Sequence, residues 1–237
     1  MNLKTTSRTG GQGSAERPGG PQLECFPVPA LDERNLDELL EKFGKATPLE
    51  LGQAWLEKPE ADFAPGRVRT AWRGQSLLVL AELTDADIFT GMSGLNQRAW
   101  LLGDTFEIFL RPAGQPAYVE FHVTPNNQHL QLRFPSAQDF VRICEAGLLE
   151  SAMLPGEMFR SRTWVQPEAR RWFVFAEIPA NAVCDGPAVP LSGRQWHFSF
   201  SRYDYTHGRS EPVISSTSPH AEANFHRQQD WGTITFR

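Results

Sequence analysis

Long apolar runs are absent from this 237-residue sequence. No stretch approaches the roughly 20 consecutive apolar residues that a membrane-spanning helix requires, so no membrane span is predicted. The first 21 residues are rich in Gly, Ser, Thr, Arg and Pro and lack the apolar core of a secretory signal, so the chain as written is expected in the cytoplasm by default. Residues 1–22 are interpreted as a disordered N-terminal tail, and residues 23–237 as one domain.

Cysteine and positive charge are both scarce. Cys25, Cys144 and Cys184 lie far apart, and no C-x-x-C or Cys/His pair has zinc spacing, so neither a disulfide framework nor a metal knuckle is indicated. Three reduced thiols are favoured over one disulfide with a free thiol. The 23 Lys and Arg residues are outnumbered by 28 Asp and Glu residues, for a net charge of -5. A nucleic-acid partner is not expected, because binding to phosphates needs a concentrated positive surface.

Aromatic residues and short strand-like segments are abundant. Ten segments are rich in β-branched and aromatic residues and are bounded by Gly, Pro, Asn or Asp, which predicts strands. They are Arg67–Arg73, Leu77–Thr84, Thr105–Arg111, Tyr118–Thr124, His129–Phe134, Arg160–Gln166, Arg171–Ile178, Gln195–Tyr205, Val213–Thr217 and Gly232–Phe236. Helical spacing occurs over Leu31–Gly44 and, for a turn or two, over Ala137–Ala146. The predicted fold is all-β: an antiparallel two-sheet β-sandwich, jelly-roll or immunoglobulin-like, with one or two short helices.

Alternation along three consecutive strands predicts a polar face. Phe106, Ile108 and Leu110 point to one side of their strand, which leaves Glu107 and Phe109 on the other side. By the same alternation, the apolar residues of the next two strands are predicted to face the core: Val119, Phe121 and Val123, and then Leu130, Leu132 and Phe134. The predicted outer surface then carries Glu107, Glu120, His122, Gln131 and Arg133. Such a face is either ordinary solvated surface or a site that hydrogen-bonds hydroxyls and stacks on a ring.

Motifs of hydrolytic enzymes are missing. The sequence contains neither G-x-S-x-G nor H-E-x-x-H. Glu107 and Glu120 could stand on adjacent strands, but neighbours there are only about 5 Å apart on an open sheet face without a deep cleft. The chain is therefore predicted not to be an enzyme.

Two consecutive segments resemble the family 9 carbohydrate-binding modules. Gly103–Pro112 reads Gly-Asp-Thr-Phe-Glu-Ile-Phe-Leu-Arg-Pro, and Tyr118–Asn126 reads Tyr-Val-Glu-Phe-His-Val-Thr-Pro-Asn. These are similar to the family's Asp-x-x-Glu strand and its aromatic-Glu-Phe strand ending in Pro-Asn. Later segments follow in order, through Trp172–Pro179 and Trp196–Arg202 to a closing segment that starts at Asn224. The resemblance spans about Val68 to Phe236.

The resemblance implies a sandwich that holds the end of a sugar chain between two aromatic rings. By position, Trp100 corresponds to one clamp Trp, and Arg202 to the Arg of an Arg-Tyr pair. Glu107 corresponds to the strand carboxylate, and Glu120 or His122 to the polar position on the next strand. Gln131 and Arg133 would lie at the edge of the site.

The resemblance leaves three points open. The segment that carries the family's second Trp has no Trp in this sequence. His220 or Phe225 could take that role, or the second clamp is missing. No cofactor is expected, although some members bind structural calcium, for which Asp85 and Asp87 are weak candidates. Family members accompany secreted enzymes, which suggests an extracytoplasmic location.

The predicted function is non-catalytic binding of a saccharide near a chain end. One alternative is a structural or interaction module that keeps the fold without binding sugar. A further alternative is a haem-binding sandwich, with Met92 and either His197 or His220 as ligands. The sugar, the oligomeric state and the true location stay open.

Overall fold

The computed structural model describes residues 19–186 and 190–237. Of the predicted tail, residues 1–22, the first 18 lie outside the described residues. Its last residue, Gln22, begins a strand. None of the helices in the described ranges has the length and apolar character needed to cross a membrane. Cys25, Cys144 and Cys184 are all free thiols, as predicted.

Within the described residues, twelve strands form two sheets, which confirms the predicted sandwich. The strands in chain order are β1 Gln22–Cys25, β2 Leu49–Glu50, β3 Gly66–Arg73, β4 Ser76–Thr84, β5 Thr105–Pro112, β6 Tyr118–Val123, β7 His129–Phe134, β8 Arg160–Gln166, β9 Arg171–Pro179, β10 Gln195–Asp204, β11 Val213–Ser216 and β12 Gly232–Phe236. The first sheet has the order β1-β12-β10-β5-β6-β7, with β11 also paired to β10, and the second sheet has the order β2-β3-β4-β9-β8. All pairings are antiparallel except β1 with β12. Each of the ten predicted strands is present.

In the part of the chain that the structure describes, three α-helices pack around the sandwich: α1 Leu36–Phe43, α2 Ala137–Glu145 and α3 Ala180–Val183. Asn35 caps α1 as predicted, since its side chain accepts a hydrogen bond from the backbone N–H of Glu38. The helix starts later than the predicted Leu31 because residues 32–35 form a turn, which the Asn35 N–H closes by donating to the Asp32 carbonyl. Leu39 and Phe43 are its buried residues, and they pack on the outer face of the second sheet.

The core has two main layers rather than the single layer that alternation predicted. The layer between the sheets contains the apolar sides of β5, β6 and β10, as expected. A second cluster covers the opposite face of the first sheet and includes Phe109, Tyr118, Phe225 and Trp231. That face is therefore largely closed, because α2, the loop before β5 and the segment before β12 pack over it.

The predicted orientation of β7 is wrong. Val123 of β6 pairs with His129, and Phe121 pairs with Gln131, so His129 and Gln131 share the inward face with those two residues. Leu130, Leu132 and Phe134 consequently lie on the same face as Glu120 and belong to the second cluster. A shift of one residue in register exchanges the two faces of a strand, and only the pairing decides which face is inward.

Candidate functional site

Three of the predicted residues meet on the outer face of the first sheet. Glu107 on β5 pairs directly with His122 on β6, and Glu120 lies two residues earlier on β6. His122 Nδ1 is 3.2 Å from Glu107 Oε1, and His122 Nε2 is 3.6 Å from Glu120 Oε2. The three side chains are almost completely buried, with 2 to 4% of their surface exposed. One imidazole thus bridges two carboxylates in a site from which most water is excluded.

A second imidazole joins this cluster from the segment before β12. His226 Nδ1 is 3.1 Å from Glu120 Oε1 and 3.1 Å from the Tyr118 hydroxyl. Its ring stacks on Phe140 of α2, with 3.6 Å between the ring centroids. Sequence reasoning missed His226 because about 100 residues separate it from Glu120, and only the tertiary structure brings them together. We call Glu107, Glu120, His122 and His226 the polar floor.

Several buried atoms of the polar floor lack a hydrogen-bond partner of good geometry. They are Glu120 Oε1 and both ring nitrogens of His122. The short distances to neighbouring charges therefore reflect electrostatic contact rather than aligned hydrogen bonds. Buried polar atoms without partners are costly, and in native proteins they commonly mark positions that a ligand or water completes.

Burial and neighbouring charge move the carboxyl pKa values of the floor in opposite directions. Burial raises the pKa of Glu107 to about 7, although His122 opposes the shift. Burial acts in the same direction on Glu120, but His226 and His122 outweigh it and lower the pKa of Glu120 to about 2. For His122, burial would lower the pKa, but the charges of Glu107 and Glu120 raise it above its ordinary value. Glu120 therefore stays ionised, while Glu107 titrates near neutral pH.

Replacement of Glu107 with Gln is expected to change how stability depends on pH. The native pKa of about 7 lies above the ordinary 4.5, so Glu107 contributes stability that is complete below about 4.5 and is lost as pH rises through 7. Urea unfolding at pH 5 to 8 measures the effect. Relative to the parent, the free energy of unfolding of the variant should increase by up to about 1.4 kcal/mol per pH unit between pH 5 and 7 and then level off. A constant difference between the two proteins would contradict the raised pKa.

Trp100 lies directly above the floor, on a 3-10 turn formed by Ala99–Leu101. Its ring is half-buried and lies 5.7 Å from the ring of His122, centroid to centroid. The Tyr205 hydroxyl donates a 2.7 Å hydrogen bond to the Trp100 carbonyl. The structure thus brings Trp100 together with Glu107, Glu120 and His122.

The loop that carries Trp100 is closed tightly at its base. The Gly91 N–H donates to the Leu102 carbonyl at 2.7 Å, and Thr90 forms an isolated bridge with Gly103. Gly103 has a φ of 140°, and a Cβ there would lie 2.6 Å from the Phe89 carbonyl oxygen. Only glycine allows this approach without displacing the strand, so Gly103 fixes where the loop leaves β5.

Tyr203 and Trp55 lie on the same face, next to the floor. Tyr203 on β10 is half-buried, and its pKa is raised well above the ordinary value by burial and by the charges of Glu107 and Glu120. Its ring lies 5.8 Å from that of Phe225, and the half-buried Trp55 lies 6.2 Å from Phe225 on another side. Sequence reasoning gave Trp55 no special role because it precedes all the motifs of the resemblance.

The two rings proposed for a second clamp are both enclosed by protein. His220 is 0% exposed and Phe225 is 5% exposed. Neither can present a ring face to a ligand in this conformation. Burial lowers the pKa of His220 to about 4, and its Nε2 is 3.4 Å from the Ser199 hydroxyl.

Gln131 and Arg133 do not belong to this face. The Gln131 side chain donates to the Gly156 carbonyl at 2.6 Å and accepts from the Met158 N–H at 2.8 Å. Arg133 pairs with Asp185 at 2.6 Å and donates to the Val183 carbonyl. Both side chains tie the edge strand β7 to neighbouring segments, so their predicted place at the edge of a sugar site is wrong.

Arg202 also points away from the floor. It pairs with Phe106 on β5 and is fully buried on the inward side. Its guanidinium donates to the Thr84 carbonyl at 2.6 Å and to Asp85 at 2.9 Å, and it lies 3.1 Å from Asp204. The arrangement makes Arg202 a structural counter-ion rather than a group at the predicted site.

Asp85, Asp104 and Asp204 form the one cluster of possible metal ligands within the described ranges. Asp87, the other predicted candidate, instead contacts His207 at 2.8 Å. The cluster does not fit calcium, which requires six to eight free oxygen ligands. Arg202 already contacts Asp85 and Asp204, and both oxygens of Asp104 accept backbone N–H bonds.

The residues of the haem alternative are each packed against protein atoms. Met92 is 1% exposed and belongs to the second core cluster, with its carbonyl accepting from Asn126. His197 on β10 is half-buried, with its Nδ1 3.4 Å from the Thr233 hydroxyl.

An open groove of about 920 Å³ lies elsewhere, between the segment before α1 and strand β8. Many of its charged side chains are already paired, as Arg160 is with Glu177 at 2.7 Å. Its aromatic residues Phe159 and Phe175 are only 1 to 2% exposed. The groove offers charge but no ring face on which a sugar could stack.

Comparison with solved structures agrees with this architecture. A "putative carbohydrate-binding protein" from Bacteroides uniformis superposes with a TM-score of 0.71 at 18% identity, over 92% of this chain and 100% of that one. A family 9 carbohydrate-binding module from Caldicellulosiruptor kristjanssonii in complex with cellotriose gives a TM-score of 0.59 at 14% identity, over 91% and 93% of the two chains. The chain has the fold of the family 9 carbohydrate-binding modules.

A glucose complex of a family 9 module from the same organism gives a TM-score of 0.56 at 15% identity, over 90% of this chain and 95% of that one. No protein-family model matches the chain, and no curated protein matches it in sequence. At identities this low, the structural similarity establishes the family 9 fold but not the ligand, for which only the residues of this chain are evidence.

Proposed function

We propose that the chain is a non-catalytic module that binds a saccharide near a chain end, over the polar floor and against Trp100. The observation that carries the proposal is the juxtaposition of a half-buried indole with buried, incompletely bonded polar groups. Trp100 lies 5.7 Å from His122, whose two nitrogens and neighbouring Glu120 Oε1 lack well-aligned partners.

The chemistry of a pyranose complements both parts of this arrangement. Its C–H faces are apolar and pack on an aromatic ring, whereas its hydroxyls both donate and accept hydrogen bonds. Hydroxyl protons would satisfy the oxygens of Glu107 and Glu120, and hydroxyl oxygens would accept from His122. Because Glu107, Glu120 and His122 are only 2 to 4% exposed, only a small part of a ligand would reach them. This favours a terminal ring over the middle of a chain.

In this proposal, the rings of Trp55 and Tyr203 form a second aromatic surface that contacts the same ligand. Both are half-buried and both pack around Phe225, which adjoins the floor through Phe109 and His226. Phe225 itself is enclosed, so it would support these rings rather than contact the sugar.

Isothermal titration calorimetry against neutral mono- and oligosaccharides tests the proposal. The panel would contain glucose, xylose, galactose, cellobiose and xylobiose. Saturable binding that depends on Trp100 is the expected result. If no sugar binds at millimolar concentration, the chain would instead be an interaction module that keeps the fold without the ligand.

Replacement of Trp55 with Ala is expected to weaken saccharide binding by about threefold to tenfold, because one aromatic contact is lost. Calorimetry with the tightest sugar of the panel measures this change. Trp164→Ala is the matched control, since Trp164 is a half-buried Trp that packs on the outer face of the second sheet. Equal affinities of the two variants would remove Trp55 from the site.

A further inference from the structure

We infer that the preferred ligand is an amino sugar, whose protonated amine would lie against Glu107 and Glu120. This inference rests on the proposed function and narrows the class of saccharide. Its basis is that two buried carboxylates share the floor without a permanent cation. Among the described residues, no Lys or Arg nitrogen lies within 4.0 Å of either carboxylate, and their ionic contacts are with His122 and His226.

A second buried acidic cluster in the same protein provides an internal comparison. There, Asp85 and Asp204 share the guanidinium of Arg202, at 2.9 and 3.1 Å. The protein thus balances one set of buried carboxylates with a permanently charged group of its own. The polar floor has only imidazoles, neither of which is a permanent cation, and the two carboxylates share the ring of His122. When Glu107 is ionised, two buried carboxylates share the His122 ring, so an external cation would stabilise the floor in that state.

Among the titratable groups around Glu107, only the imidazoles can offset its negative charge. Those facing it or its partner Glu120 are Tyr118, Glu120 and His122 from β6, Tyr203 from β10, His226 from the segment before β12 and Cys144 from α2. The tyrosines and Cys144 have raised pKa values and are neutral at pH 7. Only His122 and His226 can therefore carry positive charge.

The donor and acceptor pattern favours an ammonium as well. An ammonium has three donors and no acceptor, and a carboxylate accepts charge-assisted hydrogen bonds. Glu120 Oε1 is buried without a well-aligned donor, and Glu107 contacts only the Nδ1 side of His122. A neutral hydroxyl could donate one hydrogen bond here, but it would add no positive charge to offset the second carboxylate when Glu107 is ionised.

Binding of a cation would also displace a proton. Burial raises the pKa of Glu107 to about 7, so below that pH the carboxyl largely holds its proton. An ammonium beside it favours the ionised form, so the proton would leave when the amino sugar binds. Affinity for the amino sugar should therefore increase as pH rises from 5 to 7, whereas affinity for a neutral sugar should not show this increase.

Calorimetry with glucosamine, glucose and N-acetylglucosamine at about pH 6.5 tests the inference on the full chain, just below the Glu107 pKa of about 7. Glucosamine should bind at least about tenfold more tightly than either neutral sugar. Its apparent enthalpy should depend on the ionisation enthalpy of the buffer, which reports the released proton. Glu107→Gln should reduce the preference to less than about threefold, and Glu50→Gln, an exposed carboxylate on β2, should leave it unchanged.

The outcomes separate this inference from the proposed function. If glucose binds as tightly as glucosamine and no proton is released, the amino-sugar inference is wrong, whereas saccharide binding stands. If none of the three sugars nor any of the neutral panel binds, both are wrong. The comparison of ligands on the parent protein decides the inference even if Glu107→Gln does not fold.

Discussion

Replacement of Trp100 with Ala is expected to weaken saccharide binding at least about tenfold while leaving the protein folded. The ring is half-buried above the floor, 5.7 Å from His122, and it is the proposed stacking surface for the sugar. The loop is held by hydrogen bonds that do not involve the indole, including the Gly91 N–H to the Leu102 carbonyl and the Tyr205 hydroxyl to the Trp100 carbonyl. Removal of the side chain should therefore leave the loop in place.

Calorimetry with the tightest sugar of the panel measures the Trp100 effect, and thermal unfolding measures the integrity of the fold. Trp164→Ala again serves as the matched control, and Trp100→Phe should retain part of the affinity because it keeps an aromatic face. Normal binding by Trp100→Ala would show that the sugar does not stack there. Melting far below the parent and the control would instead show that Trp100 is a core residue.

Replacement of Arg202 with Met is expected to lower the free energy of unfolding by about 3 to 5 kcal/mol, which is the cost of leaving buried charges without their partner. The guanidinium lies between Asp85 and Asp204 and is 0% exposed. Methionine approximates the length of the side chain but carries no charge and no donor. Urea unfolding of parent and variant at pH 7 measures the difference.

The pH dependence of the Arg202 variant provides a second test. Burial raises the pKa of Asp104 to about 8 and that of Asp204 to about 7, and Arg202 opposes both shifts. Without Arg202, these carboxyls should bind protons still more readily in the native state, so the variant should recover stability as pH falls from 8 towards 5. Arg160→Met is the control, because Arg160 is 70% exposed and its loss should cost less than about 1 kcal/mol. A similar small cost for Arg202 would contradict its structural role.

Local sequence predicted most of the strands. Arg160–Gln166, His129–Phe134 and Gly232–Phe236 have the bounds that residue type and turn residues predicted. The strands β1 and β2 were missed because they are only four and two residues long and depend on pairing with distant segments. Short strands carry too few residues for alternation to stand out.

The candidate site was predicted only in part. Glu107, Glu120 and His122 lie on one face because β5 and β6 are joined by a short turn and pair in the register that alternation favours. The same argument failed for Gln131 and Arg133, since the apolar residues of β7 suit either face of the first sheet, which is buried on both sides. For Arg202, position in a motif suggested a ligand contact, whereas the strand phase placed it inward beside Phe106.

The sequence by itself determined the all-β class, the positions of ten strands, the helix cap at Asn35 and the shared face of Glu107 and His122. These features depend on residue type, spacing and short connections, all of which are local. The tertiary structure decided that His226 contacts Glu120, that Trp55 packs on Phe225 and that Arg202 balances a buried acidic cluster. Such contacts join segments about 100 or more residues apart, and they follow from how two sheets and their covering loops pack together rather than from any pattern within one segment.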